Sequence, residues 1–107
     1  MERVGFMFKV KQHLIDDYKE HHKNVWPEML QALHDTGWHN YSLFMRSDGV
    51  LFGYFETPES LEAAQTAMAQ TEVNGRWQDI MSPYFEIVEG ARPDEMSMML
   101  EEVFHLD

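Results

Sequence analysis

Residues Arg3 to Val10 alternate, with Val4, Phe6, Phe8 and Val10 on one side and Arg3, Gly5, Met7 and Lys9 on the other. That period of two predicts a strand. From about Lys11 the period lengthens, and Leu14, Tyr18, His22 and Val25, then Met29, Leu30 and Leu33, follow helical spacing to Thr36. Gly37 is placed to end that helix, and Pro27, which removes a backbone hydrogen bond, predicts a break just before it. Trp38–Arg46 and Val50–Glu56 are aromatic-rich runs joined by Ser47, Asp48 and Gly49, a β-hairpin signal. Thr57 and Pro58 predict the N-cap and first turn of a helix with Leu61, Ala64 and Met68 facing inward. Thr71 predicts the cap of another helical piece, with Val73, Trp77, Ile80 and Met81 inward up to Pro83. Tyr84–Val88 reads as a strand, Gly90–Asp94 as a turn, and Leu100–Leu106 as a C-terminal strand.

The order is therefore β, α, β, β, α, β with a strand added. This predicts an α+β fold, the split βαβ sandwich called ferredoxin-like, in one domain spanning residues 1–107. Helices in such a sandwich cover one face of the sheet, so a solvated second face should be polar. Here the hairpin pattern puts Trp38 and Phe44 on one face and Tyr41, Leu43 and Met45 on the other, with Phe52 and Tyr54 opposite Leu51 and Phe55. Apolar residues on both faces predict a homodimer in which two sheets pack face to face.

Charge narrows the partners. Asp and Glu number 19 against 8 Lys and Arg, a net charge of -11 that repels phosphate backbones and anionic bilayers. Neither nucleic acid nor a membrane is an expected partner. The absence of cysteine removes disulfides, thiolate nucleophiles and zinc–thiolate sites. The opening MERVGFMFKV holds too short an apolar run for a signal peptide or a membrane span, so a soluble, cytoplasmic protein is expected.

Chemistry concentrates in Tyr18–Pro27, YKEHHKNVWP. Tyr18 and His22, at i and i+4, share a helix face and can serve one pocket. Imidazole gives or takes a proton at cellular pH, although a solvated helical histidine fits the same spacing. Tyr41, in His39-Asn40-Tyr41, offers a phenol from a strand and fits a packing role equally well. Arg76-Trp77-Gln78 sets a flat ring between two polar groups, a combination suited to stacking on a sugar and bonding its hydroxyls, and Trp77 also fits a buried stripe. The histidines lack HExxH or two-His-one-carboxylate spacing, so no metal is expected. Phosphate loops, nucleophile elbows and dinucleotide fingerprints are also missing from the sequence. The nine methionines read as adaptable interface packing.

Over nearly its full length the chain resembles the L-rhamnose mutarotase family. The residues that carry the likeness are Tyr18, His22 and Trp26-Pro27-Glu28, then Gly37 with His39-Asn40-Tyr41, then Arg76-Trp77, and finally Glu101-Glu102-Val103-Phe104. The resemblance implies a dimeric α+β barrel that interconverts the α and β anomers of L-rhamnose without a cofactor. It implies His22 as proton donor, with Tyr18, Tyr41, Trp77 and the next residue, Gln78, contacting the sugar. Gln78 departs from the family, whose members can show a second tryptophan there. Two other classes share the fold or the pocket: a small monooxygenase binding haem or a quinol-type substrate, and a sugar-binding module without catalysis.

Overall fold

The computed structural model describes residues 1–86 and 97–107. Its first strand, β1 (Glu2–Val10), follows the alternation of the sequence, with Val4, Phe6 and Val10 buried. A short 3-10 turn leads into α1 (Ile15–Lys23), and α2 (Pro27–Asp35) begins at the proline, which occupies a first-turn position where its missing N–H costs nothing. Gly37, at φ +93°, ends α2 in a Schellman motif: its N–H donates to the His34 carbonyl at 3.3 Å, and the Trp38 N–H to the Leu33 carbonyl at 2.9 Å.

The hairpin of β2 (His39–Met45) and β3 (Val50–Thr57) turns through Asp48 and Gly49. Gly49 sits at φ +95°, and a Cβ there would lie 2.3 Å from the Val10 carbonyl oxygen, so glycine is required. Two helices follow, α3 (Leu61–Ala69) and α4 (Glu72–Met81), then β4 (Phe85–Glu86) and β5 (Ser97–Leu100). The sheet runs β2-β3-β1-β4 with antiparallel neighbours, and β5 pairs along the same edge of β1 as β4. This is the ferredoxin-like order expected of the sequence. One cluster, of Val10, Tyr18, Met29, Leu51, Met68, Val73, Trp77 and Met81, joins the helices to the sheet, and Val4, Phe6, Phe55 and Ala64 form a second.

Several expectations are corrected. The cap of α3 is Ser60, whose hydroxyl accepts the Ala63 N–H at 3.0 Å; Thr57 instead closes β3, nearly fully buried. Pro58 lies before the helix, since the chain needs the length to cross from the sheet. Ile80 and Leu30 are exposed, because each sits beside a methionine, Met81 or Met29, that takes the inward direction. Trp38 and Phe44 do not share a face. A bulge between His39 and Ser42, with Asn40 at φ +49°, shifts the parity of β2, so Trp38 joins Tyr41 and stacks on Phe55 at 4.1 Å. The last strand is Ser97–Leu100, after which residues 101–107 form no strand. The strand expected from Tyr84 begins at Phe85; residues 87–88 and the turn at Gly90–Asp94 lie outside the described residues.

Candidate active site

Between the helices and the covered face of the sheet lies a cavity of about 800 Å³. Its floor is apolar, with Phe8, Leu43, Met45, Leu51 and Phe85 from the strands and Met29, Leu33 and Met68 from the helices. Polar groups enter at a few points only. From α1 come Tyr18 and His22 with Lys19 and Lys23, from β2 Tyr41, and from α3 and α4 Gln65, Asn74 and Gln78. Every residue singled out as a site candidate in the sequence, Tyr18, His22, Tyr41, Trp77 and Gln78, lines this one space.

The i, i+4 spacing does what it predicted: the Tyr18 and His22 rings stack with centroids 4.0 Å apart. His22 Nδ1 lies 3.0 Å from the Tyr18 carbonyl oxygen, which can only accept, so Nδ1 carries the proton and donates. In the neutral ring Nε2 is then an open lone pair. Burial lowers the His22 pKa below its ordinary 6.5; the Tyr18 carbonyl opposes that and His21 adds to it. His22 is therefore a neutral imidazole at pH 7.

Tyr18 is 3% exposed, yet its hydroxyl bonds to no described residue. No buried side-chain oxygen or nitrogen among the described residues lacks a partner, so the hydroxyl must reach the cavity. The same holds for Tyr41. Burial raises both pKa values far above the ordinary 10, with the Tyr41 phenol adding to the rise at Tyr18. Both are protonated donors at neutral pH, close enough to act on one another.

Trp77, inward from α4, closes the cavity beside His22, its ring edge-on at 5.5 Å. Trp26, placed by Pro27 at the start of α2, meets Trp77 edge-on at 5.1 Å. Arg76 lies over the Trp26 ring at 5.7 Å and bonds Glu28 at 3.0 Å, tying α4 to α2. These contacts hold Trp77 beside His22.

Comparison with known proteins agrees with this geometry. The family model described as L-rhamnose mutarotase matches residues 3–106. The chain belongs to the L-rhamnose mutarotase family. It is 40% identical to the L-rhamnose mutarotase of Pectobacterium carotovorum and 37% identical to that of Oceanobacillus iheyensis, covering 100% of both chains in each case. The crystal structure of an L-rhamnose mutarotase from Formosa agariphila superimposes with a TM-score of 0.80 at 30% identity, again over 100% of both chains. A putative antibiotic biosynthesis monooxygenase from Nitrosomonas europaea shares the fold alone, at TM-score 0.54, 14% identity, 92% of this chain and 84% of that one.

Of the positions that carry the family likeness, Trp26, Glu28 and Arg76 form the bracket behind the cavity, and Glu102 accepts from Arg3 of β1, from Nη2 at 2.8 Å and from Nε at 3.0 Å. Sequence reasoning missed Lys19, Lys23, Gln65 and Asn74. Only Asn74 left a signal, standing one turn before Gln78 on α4, where the two amides bond at 3.4 Å.

Proposed function

We propose that this chain interconverts the α and β anomers of L-rhamnose, the carbohydrate isomerase activity for which its family is named. Mutarotation opens a cyclic hemiacetal and recloses it from the other face of the aldehyde. Each step moves one proton onto an oxygen and one proton off another. One observation carries the reading: a single cavity brings together a neutral imidazole, whose Nε2 bonds no described residue, and two protonated phenols whose hydroxyls bond no described residue. His22 exchanges the proton with the sugar. Tyr18, Tyr41 and Gln78 bond its hydroxyls, and the flat face of Trp77 packs against its ring carbons. The apolar floor suits the methyl group of a 6-deoxy sugar, which a hydroxyl-rich hexose would not match.

The working unit is a homodimer in the cytoplasm. What supports the dimer is the sheet face turned away from the helices, where Phe44, Phe52, Met7 and Met98 form one cross-strand row. Phe44 is 65% exposed in the single chain, and Val103, Phe104 and Leu106 of the tail are more exposed still. Among the described residues no helix is long and apolar enough to cross a membrane.

Polarimetry tests the activity. Freshly dissolved α-L-rhamnose should reach its equilibrium rotation faster with catalytic amounts of protein than in buffer alone. An unchanged rate, with a Soret band appearing on addition of haem, would move the chain to the monooxygenase class.

A further inference from the structure

A second, smaller hollow of about 370 Å³ opens at the start of α1, between the 3-10 turn that precedes the helix and the end of β2. It shares Lys19 and Met45 with the large cavity, so the two spaces adjoin. Their linings differ in kind. The floor of the large cavity is apolar, whereas six of the eight residues around the hollow are polar: Gln12, His13, Asp16, Lys19, Arg46 and Ser47. Only Arg46 among them bonds another described residue through its side chain, holding Asp48 at 2.7 and 2.9 Å. The other five present open donors and acceptors.

The mixture decides what fits. Lys19 and Arg46 only donate, Asp16 as a carboxylate only accepts, and Gln12, His13 and Ser47 each offer both. With Arg46 already paired to Asp48, and Asp16 matching Lys19 in number, the lining holds no surplus of positive charge for a phosphate. It suits a ligand whose polar groups each donate and accept, which is the property of sugar hydroxyls. Distance sets the size. Ile15, on the rim of the hollow and first in α1, lies seven residues before His22, about 10 Å along the helix. That is the span of two linked pyranose rings, not of one.

We propose that the hollow is a subsite for a second sugar, so that the chain also interconverts the anomers of reducing disaccharides whose reducing residue is the 6-deoxyhexose. The inference rests on the mutarotase reading and widens its substrate class. The reducing residue occupies the large cavity with its anomeric carbon toward His22, and the glycosidic link passes Lys19 and Met45. The second ring lies in the hollow, its hydroxyls bonding Gln12, His13, Asp16 and Ser47 while Ile15 and Met45 meet its carbons. The glycosidic bond stays intact throughout. Only the C1–O5 bond of the reducing residue breaks and re-forms, one proton leaving and one returning in each direction, so no further reactant is needed.

The test compares L-rhamnose with three disaccharides carrying a neutral hexopyranose on O2, O3 or O4 of L-rhamnose. Exchange is measured by magnetisation transfer between the α and β H1 resonances of the reducing residue, with the uncatalysed rate subtracted. At least one linkage should be turned over with a KM about tenfold below that of L-rhamnose, the gain from one or two net hydrogen bonds. His13→Ala combined with Ser47→Ala, at exposed positions that do not line the large cavity, should erase that gain and leave KM and kcat for L-rhamnose unchanged. Three disaccharides that are not turned over, or none with a KM below that of L-rhamnose, would overturn the subsite while leaving the activity on L-rhamnose in place. A gain that survives the double substitution would overturn it as well. A wild type that exchanges neither L-rhamnose nor any disaccharide would overturn the mutarotase reading and the subsite with it.

Discussion

Gly53, in the middle of β3, faces Phe6 across the β1–β3 ladder, and the Phe6 ring lies over it. A Cβ at position 53 would stand 2.3, 2.6 and 2.7 Å from three ring carbons of Phe6, where ordinary contact begins at 3.4 Å. In Gly53→Ala the ring must therefore move by more than 1 Å. It has little room. Phe6 is 8% exposed and packs on Phe8 at 5.7 Å, Phe55 at 6.1 Å and Tyr41 at 6.3 Å. Overpacking of this kind costs about 1–3 kcal/mol. Each kcal/mol lowers Tm by about 4–8 °C in a domain near this size, so calorimetry should find Tm reduced by about 4–24 °C. The shifted ring pushes on Tyr41, and the L-rhamnose exchange rate should fall as well. Phe6→Leu added to Gly53→Ala shortens the obstructing side chain and should recover part of the lost Tm. A Gly53→Ala protein that melts with the wild type, or a double variant no better than the single one, would refute the steric account.

Three further outcomes follow from the same contacts. Phe44→Glu, on the exposed apolar row, should convert a dimer to monomers by sedimentation while the chain stays folded; an unchanged dimer would place the interface elsewhere. The depressed His22 pKa means that below pH 6.5 the unfolded chain binds a proton there more readily than the folded one, so this contribution is complete above pH 6.5 and is lost as pH falls through the folded value. Denaturant midpoints of wild type and His22→Gln should then converge as pH drops from 7 to 5, and midpoints that stay parallel would contradict the shift. Gln78→Ala, at an exposed position, should leave the unfolding free energy within about 0.5 kcal/mol of wild type while raising the L-rhamnose Kd by about tenfold, as titration calorimetry would record; an unaltered Kd would remove Gln78 from the sugar contacts.

Much of the fold was legible because single residues with strong backbone preferences mark it. Pro27 starts α2, Gly37 and Gly49 take φ values that other residues resist, and Thr71 caps α4 by accepting the Asn74 N–H. Alternation placed β1 on its correct face. What misled the reading was non-local. The bulge at Asn40 is a positive-φ conformation of a non-glycine residue, and nothing in His39-Asn40-Tyr41 announces that parity changes there. Thr57 looks like a cap, but its place beneath Gly37 belongs to the sheet: a Cβ on Gly37 would meet the Thr57 hydroxyl at 3.1 Å. In the site, Tyr18 and His22 were legible from helical spacing alone. That no described residue lining the cavity is a carboxylate was not, because it depends on which faces of α1, α3 and α4 the fold turns inward. Nor was the His22 tautomer, which the Tyr18 carbonyl decides.

The most direct measurement is magnetisation transfer between the α and β H1 resonances of equilibrated L-rhamnose, with wild type and with His22→Ala confirmed folded by its melting curve. Exchange accelerated by the wild type and lost in His22→Ala is the predicted result. Broadened sugar signals without exchange in the wild type, or full exchange in His22→Ala, would contradict the claim that this cavity turns over the anomers through His22.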